Sequence, residues 1–178
     1  CGITTPTDAG AALAAGADAI GMVFYAKSPR HVSLSAARVI TSSMPPFAST
    51  VGLFVNSSFA DVSSVLHDVP LDLLQFHGDE EESFCSSFHK PYIKAVRVRP
   101  ETDLIQICSQ YSSARGLLLD SYKKGTPGGT GETFNWNMIP ENLPLPIVLA
   151  GGLDAKNVTK AVSSVQPWAV DVSSGVEI

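Results

Sequence analysis

A chain of 178 residues, 44% of them hydrophobic, is long enough for one well-buried core and short for two, so residues 1–178 read as a single domain. The net charge of −5, with 12 scattered lysines and arginines, supplies no basic stripe for a phosphate backbone and excludes nucleic acid as the expected partner. No apolar run reaches the roughly 18 to 20 residues that cross a bilayer, and three distant cysteines without CxxC spacing suggest neither a disulfide framework nor a zinc site, so a soluble, cytoplasmic protein without membrane contact is expected.

In chain order, CGI at Cys1–Ile3 reads as the tail of a first strand, and Thr7 or Asp8 is placed to cap a helix over AGAALAA that Gly16 ends. AIGMVF from Ala19 is the next strand, Ser33 precedes a helical LSAARVI, STVGLFV from Ser49 follows, and Ser58 precedes FADVSSVLH. LDLLQF from Leu71, a helical ESFCSSF, YIKAVRV from Tyr92 and a helical LIQICSQ continue the alternation, with Cys85 and Cys108 expected to be packing residues. GLLLD from Gly116, PIVLAG from Pro146, a helix AKNVTKAV preceded by Asp154, and AVDVS from Ala169 complete it. Most of the strand runs are apolar throughout rather than alternating, as in parallel strands covered on both faces.

With CGI included, eight strands recur at the interval of βα units in a (β/α)8 TIM barrel of the α/β class. An open doubly wound sheet competes, but it normally uses fewer strands and a glycine fingerprint after the first, where this chain has CGITTPTD. A barrel typically takes about 200 to 250 residues. Because the first strand is represented by its last residues and the eighth is followed by VEI alone, the start of strand one and a closing helix are expected in a longer chain.

Barrel chemistry is assembled at the carboxyl ends of the strands. Those positions hold Cys1, Arg30 in SPR, Asn56, His77 in QFHG, Arg97, Asp120 in LLLDS, the Ala-Gly-Gly at 150 to 152, and DVSSG with Asp171, Ser174 and Gly175. Either glycine loop alone reads as a tight turn. At consecutive strand ends, Gly151, Gly152, Ser174 and Gly175 together offer small residues and backbone N–H groups to the phosphate of a small molecule. GGTG at 128 to 131 lacks the Lys-Ser/Thr of a nucleotide P-loop, and with SYKKGTP it reads as a mobile active-site loop. Cys1 at a strand tip facing a cleft would be a nucleophile or a base, and Arg30 offers a planar fork for a carboxylate, against the alternative of a solvated loop charge. His77 is either a ligand to substrate or a structural, buried histidine. Asp171 either bonds a substrate hydroxyl or orients the last loop.

The motifs CGIT, FYxKSPRxV, VGLFVN, QFHG, LLLDS, GGTGxTFxW, LAGGL and VDVSSGVE occur in that order. In them the chain resembles the phosphoribosylanthranilate isomerase family of tryptophan biosynthesis, over essentially its whole length. The resemblance implies a (β/α)8 barrel that converts N-(5-phosphoribosyl)anthranilate to 1-(2-carboxyphenylamino)-1-deoxyribulose 5-phosphate without a metal or organic cofactor. It makes Cys1 the general base and Asp120 the general acid, gives Arg30 the anthranilate part, and gives the AGG and SSG loops the phosphate. It leaves open fusion to, or association with, another tryptophan-pathway enzyme. The histidine-pathway sugar-phosphate isomerase shares this chemistry but uses aspartate where Cys1 stands and shows two similar halves. Indole-glycerol-phosphate synthase needs catalytic lysines on its strands, where Lys94 alone lies in a clear strand run. A non-catalytic phosphate-binding barrel would have no use for Cys1 and Asp120 together.

Overall fold

The computed structural model describes residues 1–121 and 134–177. Among them helices and strands alternate in the order α1 (Pro6–Ala14), β1 (Ala19–Val23), α2 (Leu34–Ser42), β2 (Ser49–Phe54), α3 (Phe59–Asp68), β3 (Leu73–Phe76), α4 (Glu82–Ser86), β4 (Tyr92–Val98), α5 (Leu104–Gln110), β5 (Gly116–Ser121), β6 (Ile147–Leu149), α6 (Val158–Val165) and β7 (Ala169–Val170). They group into two compact units, Cys1–Tyr92 and Ile93–Ile178.

In the first unit β1 pairs with β2 and β2 with β3, both parallel, with Ala19 opposite Ser49 and Val51 opposite Leu73. In the second, β4 pairs with β5, β5 with β6 and β6 with β7, again all parallel. Within each unit every strand lies beside its neighbour in sequence. The order reversal that marks a doubly wound sheet is therefore absent from both units as described.

The expectation that CGI is a strand tail needs correction. Gly2 has φ +82°, outside the extended region, and the N–H groups of Gly2 and Ile3 both donate to a single carbonyl, Gly21 O, at 2.9 Å each instead of stepping along a ladder. Residues 1–3 are thus anchored on β1 without forming a strand, and seven strands are assigned among the described residues.

Local chemistry sets the helix starts. Ser33 Oγ accepts from Ala36 N at 3.2 Å, and Ser58 with Asp61 forms a reciprocal capping box, each cap worth about 1 kcal/mol. Two caps differ from expectation. Pro6 occupies the first turn of α1, where its fixed φ favours an earlier start, so Thr5 rather than Thr7 or Asp8 caps it, accepting from Asp8 N at 3.1 Å. Asp154 closes the turn before α6 by accepting from Lys156 N at 2.8 Å and Asn157 N at 3.0 Å, and the helix itself starts at Val158.

Apolar spacing gives the helices their buried faces. Ala37 and Ile40 of α2 and Val62 and Val65 of α3, each three residues apart, are buried with Ile20, Met22 and Leu74 in the first unit. An aromatic chain extends this core, with Phe54, Phe76, Phe84 and Phe88 linked at ring-centre distances of 6.1, 5.8 and 5.1 Å, and Tyr92 against Phe76 at 5.9 Å. In the second unit Leu104 and Cys108 of α5 and Ala161 of α6 pack with Val98, Leu117, Leu119 and Leu149. Each fully buried large side chain contributes roughly 1.5–3 kcal/mol. Cys85 and Cys108 are both buried, in line with packing roles. Burial pushes the Cys108 thiol pKa up, and a backbone hydrogen bond at Leu145 acts in the opposite direction. Among the described residues no helix is long and apolar enough to cross a membrane.

Candidate active site

In the first unit the candidate residues gather at the ends of β1, β2 and β3. The Cys1 side chain lies over Gly21, so that a methyl group built on Gly21 would stand 2.9 Å from Cys1 Sγ and 3.3 Å from Cys1 Cα. Gly21 leaves the space the thiol fills. Gly2, held at positive φ, lies directly under the Arg30 stem, where a side chain would overlap Arg30 Cδ. Arg30 is half-buried and its loop folds back on β1: Ser28 N donates to Tyr25 O at 2.9 Å, Arg30 N to Ser28 Oγ at 3.1 Å, and Val32 N to Val23 O at 3.0 Å. The structure therefore brings Cys1 and Arg30 to one place, linked through Gly2.

Replacing Gly21 by alanine tests the importance of that packing. The added methyl must displace the Cys1 thiol. With Cys1 as the general base that the resemblance implies, the expected result is a fall in kcat of about 10²-fold, the order lost on misplacing a reacting group by roughly 1 Å, with cooperative melting retained. An unchanged kcat would show that the position of the thiol over Gly21 has no catalytic consequence.

His77 follows β3, half-buried. Its N–H donates to Phe54 O at 2.8 Å, and the buried Gln75 amide lies 3.2 Å from its Nδ1. Sequence reasoning missed the residue that braces this corner. Glu80 is 7% exposed and accepts from Asn56 N at 2.7 Å and from Gly78 N at 2.9 Å. Hydrogen bonds to a charged acceptor are worth about 1.5–3 kcal/mol each, which offsets the burial of the carboxylate. The signal was hidden in the acidic run of residues 79–82, in which the sequence does not distinguish the buried carboxylate from its exposed neighbours.

In the second unit Asp120 is 4% exposed at the end of β5, in register with Arg97 of β4. Leu117 and Leu119 pack toward α5, so by strand alternation Asp120 and Arg97 share the opposite face. Asp120 Oδ1 accepts from Ser121 N at 2.8 Å. Gly151, at φ +80°, comes so close that a side chain there would stand 2.7 Å from Asp120 Oδ1. Only glycine satisfies both the backbone conformation and the space beside the carboxylate.

The two small-residue loops meet. Gly175, in a 3-10 turn over Ser174–Val176, packs on Leu153 and Asp154, where a side chain would overlap Leu153 O. Asn157 fixes the preceding loop, donating from Nδ2 to Gly152 O at 2.7 Å and accepting from Asp154 N at 3.0 Å. Gly151, Gly152, Ser174 and Gly175 thus lie on two touching segments, one of which also borders Asp120. Asp171 is half-buried, and its N–H donates to Leu149 O at 2.8 Å, continuing the β6–β7 pairing by one residue. The GGTG sequence, and all but the first residue of SYKKGTP, fall outside the described residues.

Comparison with known proteins gives this geometry a context. The family model for "N-(5'phosphoribosyl)anthranilate (PRA) isomerase" matches residues 1–178. The N-(5'-phosphoribosyl)anthranilate isomerase of Pseudomonas putida strain GB-1 is 59% identical over 177 residues, covering 99% of this chain and 86% of that protein. The crystal structure of the Thermotoga maritima phosphoribosyl anthranilate isomerase superimposes with a TM-score of 0.88 at 40% identity, covering 99% of this chain and 87% of the other. A further phosphoribosyl anthranilate isomerase, solved in complex with reduced 1-(o-carboxyphenylamino)-1-deoxyribulose 5-phosphate, superimposes with a TM-score of 0.86 at 39% identity, covering 99% of this chain and 86% of that one.

Proposed function

The chain belongs to the N-(5'-phosphoribosyl)anthranilate isomerase family, and from that membership we propose how its own residues divide the reaction. It is an aldose–ketose isomerase of tryptophan biosynthesis with a (β/α)8 fold, converting N-(5'-phosphoribosyl)anthranilate to 1-(o-carboxyphenylamino)-1-deoxyribulose 5-phosphate by an Amadori rearrangement. Its substrate is a phosphorylated small molecule.

The substrate's layout guides the assignment. The ribose ring oxygen lies two carbons from the phosphate ester oxygen, so the acid that protonates it belongs beside the phosphate loops. The carbon that loses a proton adjoins the carbon carrying the anilino nitrogen, so the base belongs beside the group holding the anthranilate carboxylate. Asp120 against Gly151 matches the first requirement, and this contact is the observation that carries the reading. Cys1 joined to Arg30 through Gly2 matches the second.

In the proposed sequence the anilino nitrogen lone pair expels the ring oxygen, the C1–O bond breaks, and the Asp120 carboxyl delivers its proton to that oxygen. The Schiff base then loses its C2 proton to the Cys1 thiolate, and the electron pair moves toward nitrogen to give the enolamine. Return of a proton to C1, with the C2 hydroxyl losing its own proton as the C2=O bond forms, yields the ketose. Arg30 holds the anthranilate carboxylate through its planar fork, Gly151, Gly152, Ser174 and Gly175 hold the phosphate, and His77 and Asp171 bind the sugar. A single catalytic domain over residues 1–178, working in the cytoplasm alone or joined to another enzyme of the same pathway, completes the reading.

The test supplies purified protein with N-(5'-phosphoribosyl)anthranilate and, separately, with the histidine-pathway aminoaldose, and follows ketose formation by chromatography. Turnover of the first is expected. Binding of the reduced product analogue with turnover of neither aminoaldose would leave a non-catalytic phosphate-binding barrel in its place.

A further inference from the structure

We propose that Glu80 is a positioning residue for substrate binding, acting through His77; the proposal rests on the reading of His77 as a sugar ligand. Three fixings converge on the His77 segment. The His77 N–H donates to Phe54 O at 2.8 Å, the next N–H, that of Gly78, donates to Glu80 Oε2 at 2.9 Å, and Gln75 reaches the ring at 3.2 Å. Glu80 Oε1 meanwhile accepts from Asn56 N at 2.7 Å, so a single carboxylate ties the loop after β2 to the loop after β3. Asn56 returns the tie, its Oδ1 accepting from Asp79 N at 2.7 Å.

The backbone needs this clamp. Asn56 sits at φ +50°, an uncommon conformation for a non-glycine residue, and Gly78 passes so close that a side chain there would stand 2.7 Å from Asn56 N. Within the acidic run Asp79 and Glu81 are exposed, whereas Glu80 is 7% exposed and turned onto the two amides. A solvated acidic face has no reason to bury one carboxylate against two loop N–H groups. What the burial secures is the His77–Gly78 peptide, and with it the direction of the imidazole.

Glu80→Gln keeps the volume but presents an NH2 group to one of the two N–H donors. We expect KM to rise about tenfold, the equivalent of one lost hydrogen bond, with kcat within twofold of the parent. Asn56→Gly, which tolerates the positive φ and removes only the tie to Asp79, should give the same pattern at about threefold, and it keeps the test decisive if Glu80→Gln does not fold. His77→Ala should raise KM by itself, and Glu80→Gln should add nothing in that background. If Glu80→Gln lowers the melting temperature but leaves KM unchanged while His77→Ala raises it, Glu80 is only a structural brace and the proposal fails alone. If the two effects add fully, Glu80 acts elsewhere and the proposal also fails. If His77→Ala leaves KM unchanged, the reading of His77 falls and takes the proposal with it.

Discussion

Asp120→Asn is expected to give a folded protein that binds the reduced product analogue about as well as the parent and turns over about 10² to 10⁴-fold more slowly, the usual contribution of a positioned general acid. The swap is conservative where the structure needs it to be. Asp120 Oδ1 accepts from Ser121 N at 2.8 Å, and an asparagine Oδ1 does the same. The side chain keeps its volume beside Gly151, whose lack of a Cβ leaves the space next to the carboxylate. What it loses is the acidic proton that the proposed sequence delivers to the ring oxygen as the C1–O bond breaks. The comparison of analogue binding by titration calorimetry with kcat separates the two effects, since a purely structural loss would weaken both. Near-parental turnover would remove Asp120 from the acid role and send the search to other groups bordering the AGG loop.

The sequence pattern located the strands because they are apolar runs bounded by turn residues, and seven of the expected eight are present among the described residues. It failed at CGI, since nothing in three letters reveals that Gly2 turns at positive φ and that two N–H groups share one carbonyl. Caps were legible where hydroxyl and helix follow directly, as at Ser33 and Ser58. They were misread where proline advanced the start of α1 and where Asp154 closed a turn of its own. The candidate site divides in the same way. Residues proposed for chemistry carry recognisable side chains within distinctive motifs, so Cys1, Arg30 and Asp120 could be picked out singly. Those that shape their surroundings could not. Gly21 matters through the thiol packed on it, Asn157 through the Gly152 carbonyl, and Glu80 through an amide 24 residues away. Such roles arise from tertiary proximity, which periodicity does not encode.

Cys1→Ser should retain the fold and bind the product analogue, yet turn over at least 10² to 10³-fold more slowly, within the range attributed to a general base. The replacement fits, because a hydroxyl is smaller than the thiol and the space over Gly21 accepts it. The two Gly2 and Ile3 N–H bonds to Gly21 O involve backbone alone and survive. The change is in acidity: a free thiol with a pKa of about 8.5 can be ionised by modest help from its site, whereas a serine hydroxyl stays protonated without a strong neighbouring base. Ring opening by the proposed acid does not use this group, so the loss should fall on removal of the C2 proton. Substrate deuterated at C2 distinguishes that step from the others. In Cys1→Ser the isotope effect on kcat should rise above that of the parent, because C–H cleavage becomes the slowest event. A slow variant with an unchanged isotope effect would place Cys1 at a different step, and a fast one would require another base for the enolamine.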